Sequence, residues 1–487
     1  MSSNSKLPVE ILTHILDILG ETENGKFQPG QRAALQICTL VCKYFALICR
    51  PYVFSIIHIS YDGPDDHSIN NLIRTLEQSP ELIPYVHTLS VTCRPFTWNK
   101  IPQADVVPLE RLLLGFTHLH RLESFVVQSE DELGGAYRPP SPVMCRLRDT
   151  LLERYLQGGI LRFLYVEEHW DLPLSSLLLC PTLETVYLKL GELSHPDQPS
   201  AFADCRHQLS SLRLELCRSA FPLSTLLYFP DLKILELKDV EEIFDSRDND
   251  ARPLPLSLRQ LNIFEPTDGV LRTMVDGFMS HAQRQCCEPF AALETLHVVS
   301  YNVGDTPALR TLCQNIPAVQ SLSLTVNASE VSERLFKDLA PQIRQSNFNT
   351  LTHLSLHART YPCLPAYITF LEDFREFLSY MSGTNSAIQE LHLIVTAEMD
   401  HLDDNMESYE PWSRIATVLA TSGFSRLGLV DVSIRLDCAS GRILDGFVKK
   451  RRETFKDHLS SAMQLLESKP GLEFRGKVWL PDEYYCW

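Results

Sequence analysis

The residues of this chain best suited to chemistry are histidines. Three of them, His353, His357 and His392, fall where one face of two neighbouring extended segments would carry them. Strands in a sheet lie about 4.8 Å apart, so imidazoles placed this way invite a zinc reading. Zinc takes three or four converging ligands, usually with a carboxylate or thiolate that ligates or orients them. Glu390 is close in sequence, nothing else completes a set, and no metal is expected. The 14 cysteines contain no Cys-x-x-Cys pair and are scattered from Cys38 to Cys486. Cys38, Cys42 and Cys49 read as one apolar helix face, and Cys286-Cys287 is an adjacent pair; reduced thiols packed as small hydrophobes are expected. No Gly-x-Ser-x-Gly elbow, Gly-x-x-x-x-Gly-Lys loop, His-Glu-x-x-His or dinucleotide fingerprint occurs. The chain reads as a non-enzyme without a cofactor.

The elements that would carry these histidines repeat along the chain as apolar-x-x-apolar-x-apolar. The phrase occurs at Val86-Leu89-Val91, Leu122-Phe125-Val127, Leu161-Leu164-Val166, Leu183-Val186-Leu188, Leu209-Leu212-Leu214 and Leu232-Leu235-Leu237. It continues at Leu258-Leu261-Ile263, Leu293-Leu296-Val298, Val319-Leu322-Leu324, Leu351-Leu354-Leu356, Ile388-Leu391-Leu393 and Phe424-Leu427-Leu429. This is the core of a leucine-rich repeat, in which each unit gives one strand of a curved parallel sheet and a return segment. Short steps, such as Leu164 to Val186, fit the usual period; long ones, such as Phe125 to Leu164, require helices or loops in the return. Only Cys217 and Asn327 stand three residues after the phrase, where regular repeats place an Asn or Cys that satisfies backbone groups. Other partners must replace it. The fold expected is α/β: an irregular solenoid with helices and loops on the convex side.

Residues alternating with the apolar ones point out of the sheet. That rule exposes Phe163, Tyr165 and Tyr187 toward one side, then Arg213, Glu215, Glu236 and Lys238, then Phe264, His297, His353, His357 and His392. Exposed aromatics anchor protein interfaces, so Phe163, Tyr165, Tyr187, Phe264, His297, His353, His357 and His392 are the candidate target-binding residues. No cluster of arginines stands out on this face, so the sequence does not say whether recognition depends on phosphorylation.

The first sixty residues differ. From Leu7 to Leu19 the apolar positions Ile11, Leu12, Ile15, Leu16, Ile18 and Leu19 make a stripe wider than one helix face needs, with Pro8 suited to a first helical position. A second apolar helix is expected over Ala33 to Cys49, with Pro51 discouraging its continuation. So small a unit has little interior, and much of this surface must face another molecule. Leu7-Pro8-x-Glu10-Ile11-Leu12, an apolar block with Leu35, Leu40-Val41-Cys42-Lys43-x-Phe45 and Arg50-Pro51-x-x-Phe54 together resemble an F-box. Phe45 stands where many members have tryptophan, and Glu21 to Gly30 makes a longer connection than usual. The resemblance implies a three-helix module that binds the Skp-type adaptor of a cullin–RING (SCF-type) ubiquitin ligase. It assigns adaptor contact to Leu7, Pro8, Ile11, Leu12, Ile15, Leu40, Val41 and Phe45. With the repeats it is similar to the F-box/leucine-rich-repeat class, whose members deliver a protein substrate.

The chain divides by pattern into 1–60, the F-box-like segment; 61–84, a linker and short helix; 85–440, about twelve repeats; and 441–487, a helix and cap. Net charge is −17 over 487 residues. Nucleic-acid phosphates are bound by basic residues that displace counterions, so no nucleic-acid partner is expected. No apolar run reaches the eighteen or so residues of a membrane span, and Glu10, His14 and Asp17 interrupt the N-terminal stretch, so cytoplasm or nucleus is the expected location. Arg138 to Pro142, Ser194 to Ser200, Phe244 to Pro253 and the acidic Glu398 to Glu410 read as loops. Lys449-Lys450-Arg451-Arg452 reads as an exposed helix face, with a nuclear-import signal as the alternative.

Overall fold

The computed structural model describes residues 9–20, 30–61, 68–93, 114–126, 154–167, 171–189, 192–194, 207–216, 221–244, 255, 257–264, 269–300, 305–327, 335–345, 350–360, 364–382, 386–398, 410–437 and 445–479. Leu7, Pro8, most of the expected loops and the C-terminal Tyr484, Tyr485 and Trp487 lie outside them. The chain forms two compact units, Met1–Cys217 and Arg218–Trp487.

The first unit opens with α1 (Val9–Gly20), α2 (Gln31–Val41) and α3 (Lys43–Val53). The single helix expected over Ala33 to Cys49 is two helices. Cys42 is extended (φ −164, ψ 168), and its carbonyl accepts the Ala46 amide at 3.0 Å, so the chain restarts as α3. Pro51 lies inside α3 instead of stopping it. The turn around it is held because Tyr52 and Val53 pack on a small core of Leu16, Leu35 and Cys49, and the Tyr52 hydroxyl donates to Asp17. Cys38 packs on this core as well, whereas Cys42 is exposed at the break, so the three cysteines do not form one buried face.

There follow β1 (Ile56–Tyr61), α4 (Ser68–Gln78), β2 (Thr88–Cys93), β3 (Arg121–Val126), β4 (Phe163–Glu167), β5 (Asp171–Pro173), α5 (Leu174–Leu178), β6 (Thr185–Lys189), β7 (Glu192–Ser194) and β8 (Ser211–Glu215). Strands β1, β2, β3, β4, β6 and β8 form a parallel sheet in that order, and β5 pairs with β7 separately.

The second unit holds β9 (Phe221–Pro222), β10 (Ile234–Lys238), β11 (Ile243–Phe244), β12 (Gln260–Phe264), α6 (Val270–Gln285), β13 (Thr295–Ser300), α7 (Thr306–Asn315) and β14 (Ser321–Asn327). It continues with α8 (Leu335–Gln345), β15 (His353–Thr360), α9 (Leu364–Met381), β16 (Glu390–Glu398), α10 (Glu410–Ala420), β17 (Leu429–Asp437), α11 (Asp445–Glu467) and β18 (Glu473–Trp479). Strands β10, β12, β13, β14, β15, β16, β17 and β18 pair in parallel, each with the next repeat, and from β12 onward a helix returns the chain each time. The helices bury Phe278, Phe336, Phe374, Trp412 and Met463 against the inward leucines, leaving the opposite sheet face open.

Strand register tests the repeat phrase directly. In the first unit Ile57, Leu89, Leu122, Leu164, Val186 and Leu212 are successive partners; in the second, Leu235, Leu261, Leu296, Leu322, Leu354, Leu391, Val430 and Phe474. Two copies are therefore corrected. In β3 the phrase is Leu119-Leu122-Ser124, and in β17 it is Leu427-Val430-Val432, each three residues from the expected register. Leu122 and Leu427 satisfy the pattern either way, and an odd shift turns every side chain to the other face. Two strands were also missed: Phe54-Ile57-Ile59 begins the sheet inside the F-box-like segment, and β18 extends it into the expected cap.

The main chain makes a recurrent join at the start of the strands. The carbonyl two residues before most central positions accepts two successive amides of the next repeat. His87 O takes His120 N and Arg121 N at 2.9 and 3.0 Å, and His120, Arg162, Glu184, Lys233, Arg259, Glu294, Gln320, Thr352 and Gln389 act likewise. This register and repeated backbone bonding make each unit a leucine-rich-repeat-type solenoid. Among the described residues no helix is long and apolar enough to cross a membrane.

Candidate functional site

Two surfaces stand out. The first lies on α1 to α3. Ile11, Ile15 and Ile18 line α1, Ile37, Leu40 and Val41 line α2, and Tyr44 and Leu47 line α3, all exposed; Leu40 reaches 84% and Val41 66%. Their three- and four-residue spacings put each set on one face of its helix. Of the 11 large hydrophobics exposed among the described residues, these make eight, so the apolar surface is concentrated on one small module. The cause is geometric. Three short helices around Leu16, Leu35 and Cys49 cannot enclose more side chains.

The expected adaptor-binding residues divide. Ile11, Ile15, Leu40 and Val41 are exposed, Leu12 is half-buried, and Phe45 packs against the small core. Ile18, Ile37, Tyr44 and Leu47 belong to the same surface and were not singled out; their helical spacing from Ile15, Leu40 and Val41 was the available signal.

The second surface is the open sheet face, taken unit by unit. In the first unit Tyr165 stands opposite Tyr187, with ring centroids 4.6 Å apart and edge-on. Tyr165 donates to Glu167 at 3.1 Å, Tyr187 donates to Glu215, and Lys189 pairs with Glu167 at 2.5 Å. The Arg121 guanidinium lies 3.5 Å above the Phe163 ring while its Nε reaches the buried Glu123 at 2.5 Å. Burial, then the neighbouring carboxylates Glu167, Glu215 and Glu123, push the Tyr165 hydroxyl well above the usual phenol range. This ladder is internally paired, which restricts the rotamers of its aromatic rings.

In the second unit Phe264 and His297 meet edge-on at 4.6 Å. His353 and His392 flank Glu390, with Nε2 atoms 3.5 and 3.8 Å from one carboxylate oxygen. His357 Nε2 lies 2.9 Å from Thr396 Oγ1. Burial lowers the affinity of His297 for its proton, against the opposing pull of Glu236. It lowers that of His357 further, to about 4, with Arg435, Arg359 and His297 adding to the effect. The eight expected recognition residues lie on the sheet faces away from the helices, Phe163, Tyr165 and Tyr187 in the first unit and Phe264, His297, His353, His357 and His392 in the second; only His353 is exposed, the other seven being half-buried. Among the described residues no group of three His, Cys, Asp or Glu is arranged to hold a metal ion.

No family model matches the chain, and no curated protein matches it in sequence. Solved structures resemble it at low similarity. An internalin from Listeria monocytogenes aligns at 12% identity over 85% of this chain and 95% of that chain, with a TM-score of 0.35. The mouse RP105/MD-1 complex aligns at 12% identity over 82% of this chain and 53% of that chain, TM-score 0.34. A leucine-rich-repeat protein from Leptospira interrogans aligns at 9% identity over 81% and 90%, TM-score 0.26. The repeat assignment rests on strand register and not on these alignments.

Proposed function

We propose that this protein is a non-catalytic substrate-recognition subunit of an SCF-type ubiquitin ligase. Its three N-terminal helices dock a Skp-type adaptor, and through it a cullin scaffold, while an open sheet face holds a target protein. Transfer then gains rate from proximity, because the target is held beside the ubiquitin donor. The observation that carries this reading is the bare apolar surface of α1 to α3 in a chain of net charge −17. A patch of this kind is an interaction site or an aggregation hazard. The Leu40-Val41-Cys42-Lys43 motif at its centre favours the first. The reading places the protein in cytoplasm or nucleus, with neither nucleic acid nor membrane as partner.

The test is co-purification of full-length protein with the Skp-type adaptor, wild type against Leu40→Glu/Val41→Glu. Both side chains are solvent-facing, so the variant keeps its melting temperature and loses the adaptor by at least tenfold. Equal recovery from a folded variant removes the docking role. No recovery with wild type favours the second reading, a repeat scaffold that binds proteins without the ligase.

A further inference from the structure

We propose that Cys286 and Cys287, in the second unit, form a dithiol site for a trivalent organoarsenical, a compound with two hydroxyls on arsenic that condenses with two thiols at once. The chain departs here from the expectation of thiols packed as small hydrophobes. Cys49, Cys180 and Cys313 are buried, but Cys286 is exposed and Cys287 half-buried, and both are free. The pair ends α6. Cys286 takes the left-handed conformation (φ 53, ψ 41) directly after Gln285, a backbone state that side chains rarely adopt. The Cys286 and Cys287 amides donate to Gln283 O and Ala282 O at 3.4 and 3.1 Å. The last turn of the helix thus holds the backbone of the pair. Neither side chain is buried, and each is free to turn about its Cα–Cβ bond.

Adjacency decides which ligand fits. Consecutive α-carbons lie about 3.8 Å apart, below the roughly 4.4–6.8 Å that disulfides span. A direct S–S bond here closes the tightest ring two cysteines can make, and its strain leaves it easily reduced. One atom placed between the sulfurs lengthens that ring and relieves it. Zinc is a poor choice for that atom. It takes three or four protein ligands, and no third His, Cys, Asp or Glu completes a set among the described residues. Trivalent arsenic that carries one organic group has two bonds left to make, and two sulfurs complete it. In the reaction two As–O bonds break and two As–S bonds form. The thiol protons leave in two molecules of water, and arsenic stays trivalent, so no oxidant or reductant is consumed. Once the first sulfur has reacted, the second is held beside it and closes the ring intramolecularly. Cys42, exposed at the break between α2 and α3, has no adjacent thiol and forms only the first bond.

This inference is independent of the ligase reading. Reduced full-length protein is passed over immobilised phenylarsine oxide. Wild type is retained, resists a wash with the monothiol mercaptoethanol, and elutes with the dithiol dimercaptopropanol. Cys286→Ser and Cys287→Ser each lower retention after the monothiol wash at least tenfold, and Cys42→Ser leaves it unchanged. Cys286→Gly removes the thiol at a left-handed position that suits glycine. It keeps or raises the melting temperature and loses retention to the same extent, which separates loss of the site from loss of the fold. Absence of wild-type retention overturns the proposal, as does release of wild type by the monothiol. Retention of either serine variant at the wild-type level overturns it too, since other thiols of the chain then hold the arsenical. Equimolar zinc added first leaves retention unchanged; protection by zinc assigns the pair to a metal site and overturns the arsenical reading.

Discussion

Helices α2 and α7 are close in length, 11 and 10 residues, but α2 carries seven apolar residues against four in α7, and they meet opposite fates. In α7 the apolar residues Ala308, Leu309, Leu312 and Cys313 are buried, while outward positions hold Arg310, which pairs with Asp338, and Gln314, which bonds Gln342. In α2 only Leu35 is buried, and Ile37, Leu40 and Val41 face solvent. The helix with more apolar residues buries fewer of them. The second unit's helices have a strand to cover in every repeat and a polar outer face. The first three helices have apolar residues on both sides and a core large enough for one side only.

The comparison is sharpest where burial is complete. Phe374 in α9 is fully buried, with the Phe370 ring at 4.2 Å and the Phe336 ring at 4.9 Å. Phe374→Ala costs about 3–5 kcal/mol, measured by denaturant unfolding. The same truncation on α2, Leu40→Ala, stays within about 0.5 kcal/mol; a large loss there would show that the exposed face is a core surface after all.

Next in size is Asp373, a buried carboxylate that accepts the Phe336 and Lys337 amides, each at 2.9 Å, and so caps the first turn of α8. Asp373→Ala strands both donors and costs about 1–3 kcal/mol. Burial raises its pKa from 3.8 to about 6, opposed by the two amides and reinforced by Glu376 and Asp338. The native state holds this proton more tightly than the unfolded chain. Its contribution is therefore full below pH 3.8 and declines as pH rises through 6. Asp373→Asn flattens that decline in a pH series of melting temperatures.

His357 has the opposite sign. Its pKa falls from 6.5 to about 4, so the native state binds the proton less readily and stability is lost as pH falls through that window. His357→Gln removes the slope. Persistence of the full slope would assign it to other residues.

The sequence disclosed most of the scaffold because leucines at two fixed offsets leave few alternative registers. It failed where the pattern matched twice. At β3 Ser124 occupies an apolar position, so Phe125 and Val127 completed a better phrase than the true one. At β17 Leu427 and Leu429 completed a phrase ahead of Val430 and Val432, three residues from the true register. The break at Cys42 carries no glycine or proline to announce it. Ile57 was missed because its phrase begins inside the motif that resembles an F-box. On the helical surface, Leu40 and Val41 were legible from the motif. Ile37 and Leu47 were signalled only by helical spacing, which in an apolar helix does not say which side will be enclosed.

Most repeats are tied to the next through a main-chain oxygen that serves two amides, whatever side chain that residue carries. Arginine, glutamate, histidine, lysine and threonine all occupy these stations. Substitution at the joints is thereby nearly free, and return segments can lengthen without disturbing the join. Such a backbone can diversify its outer decoration quickly while its frame stays constant.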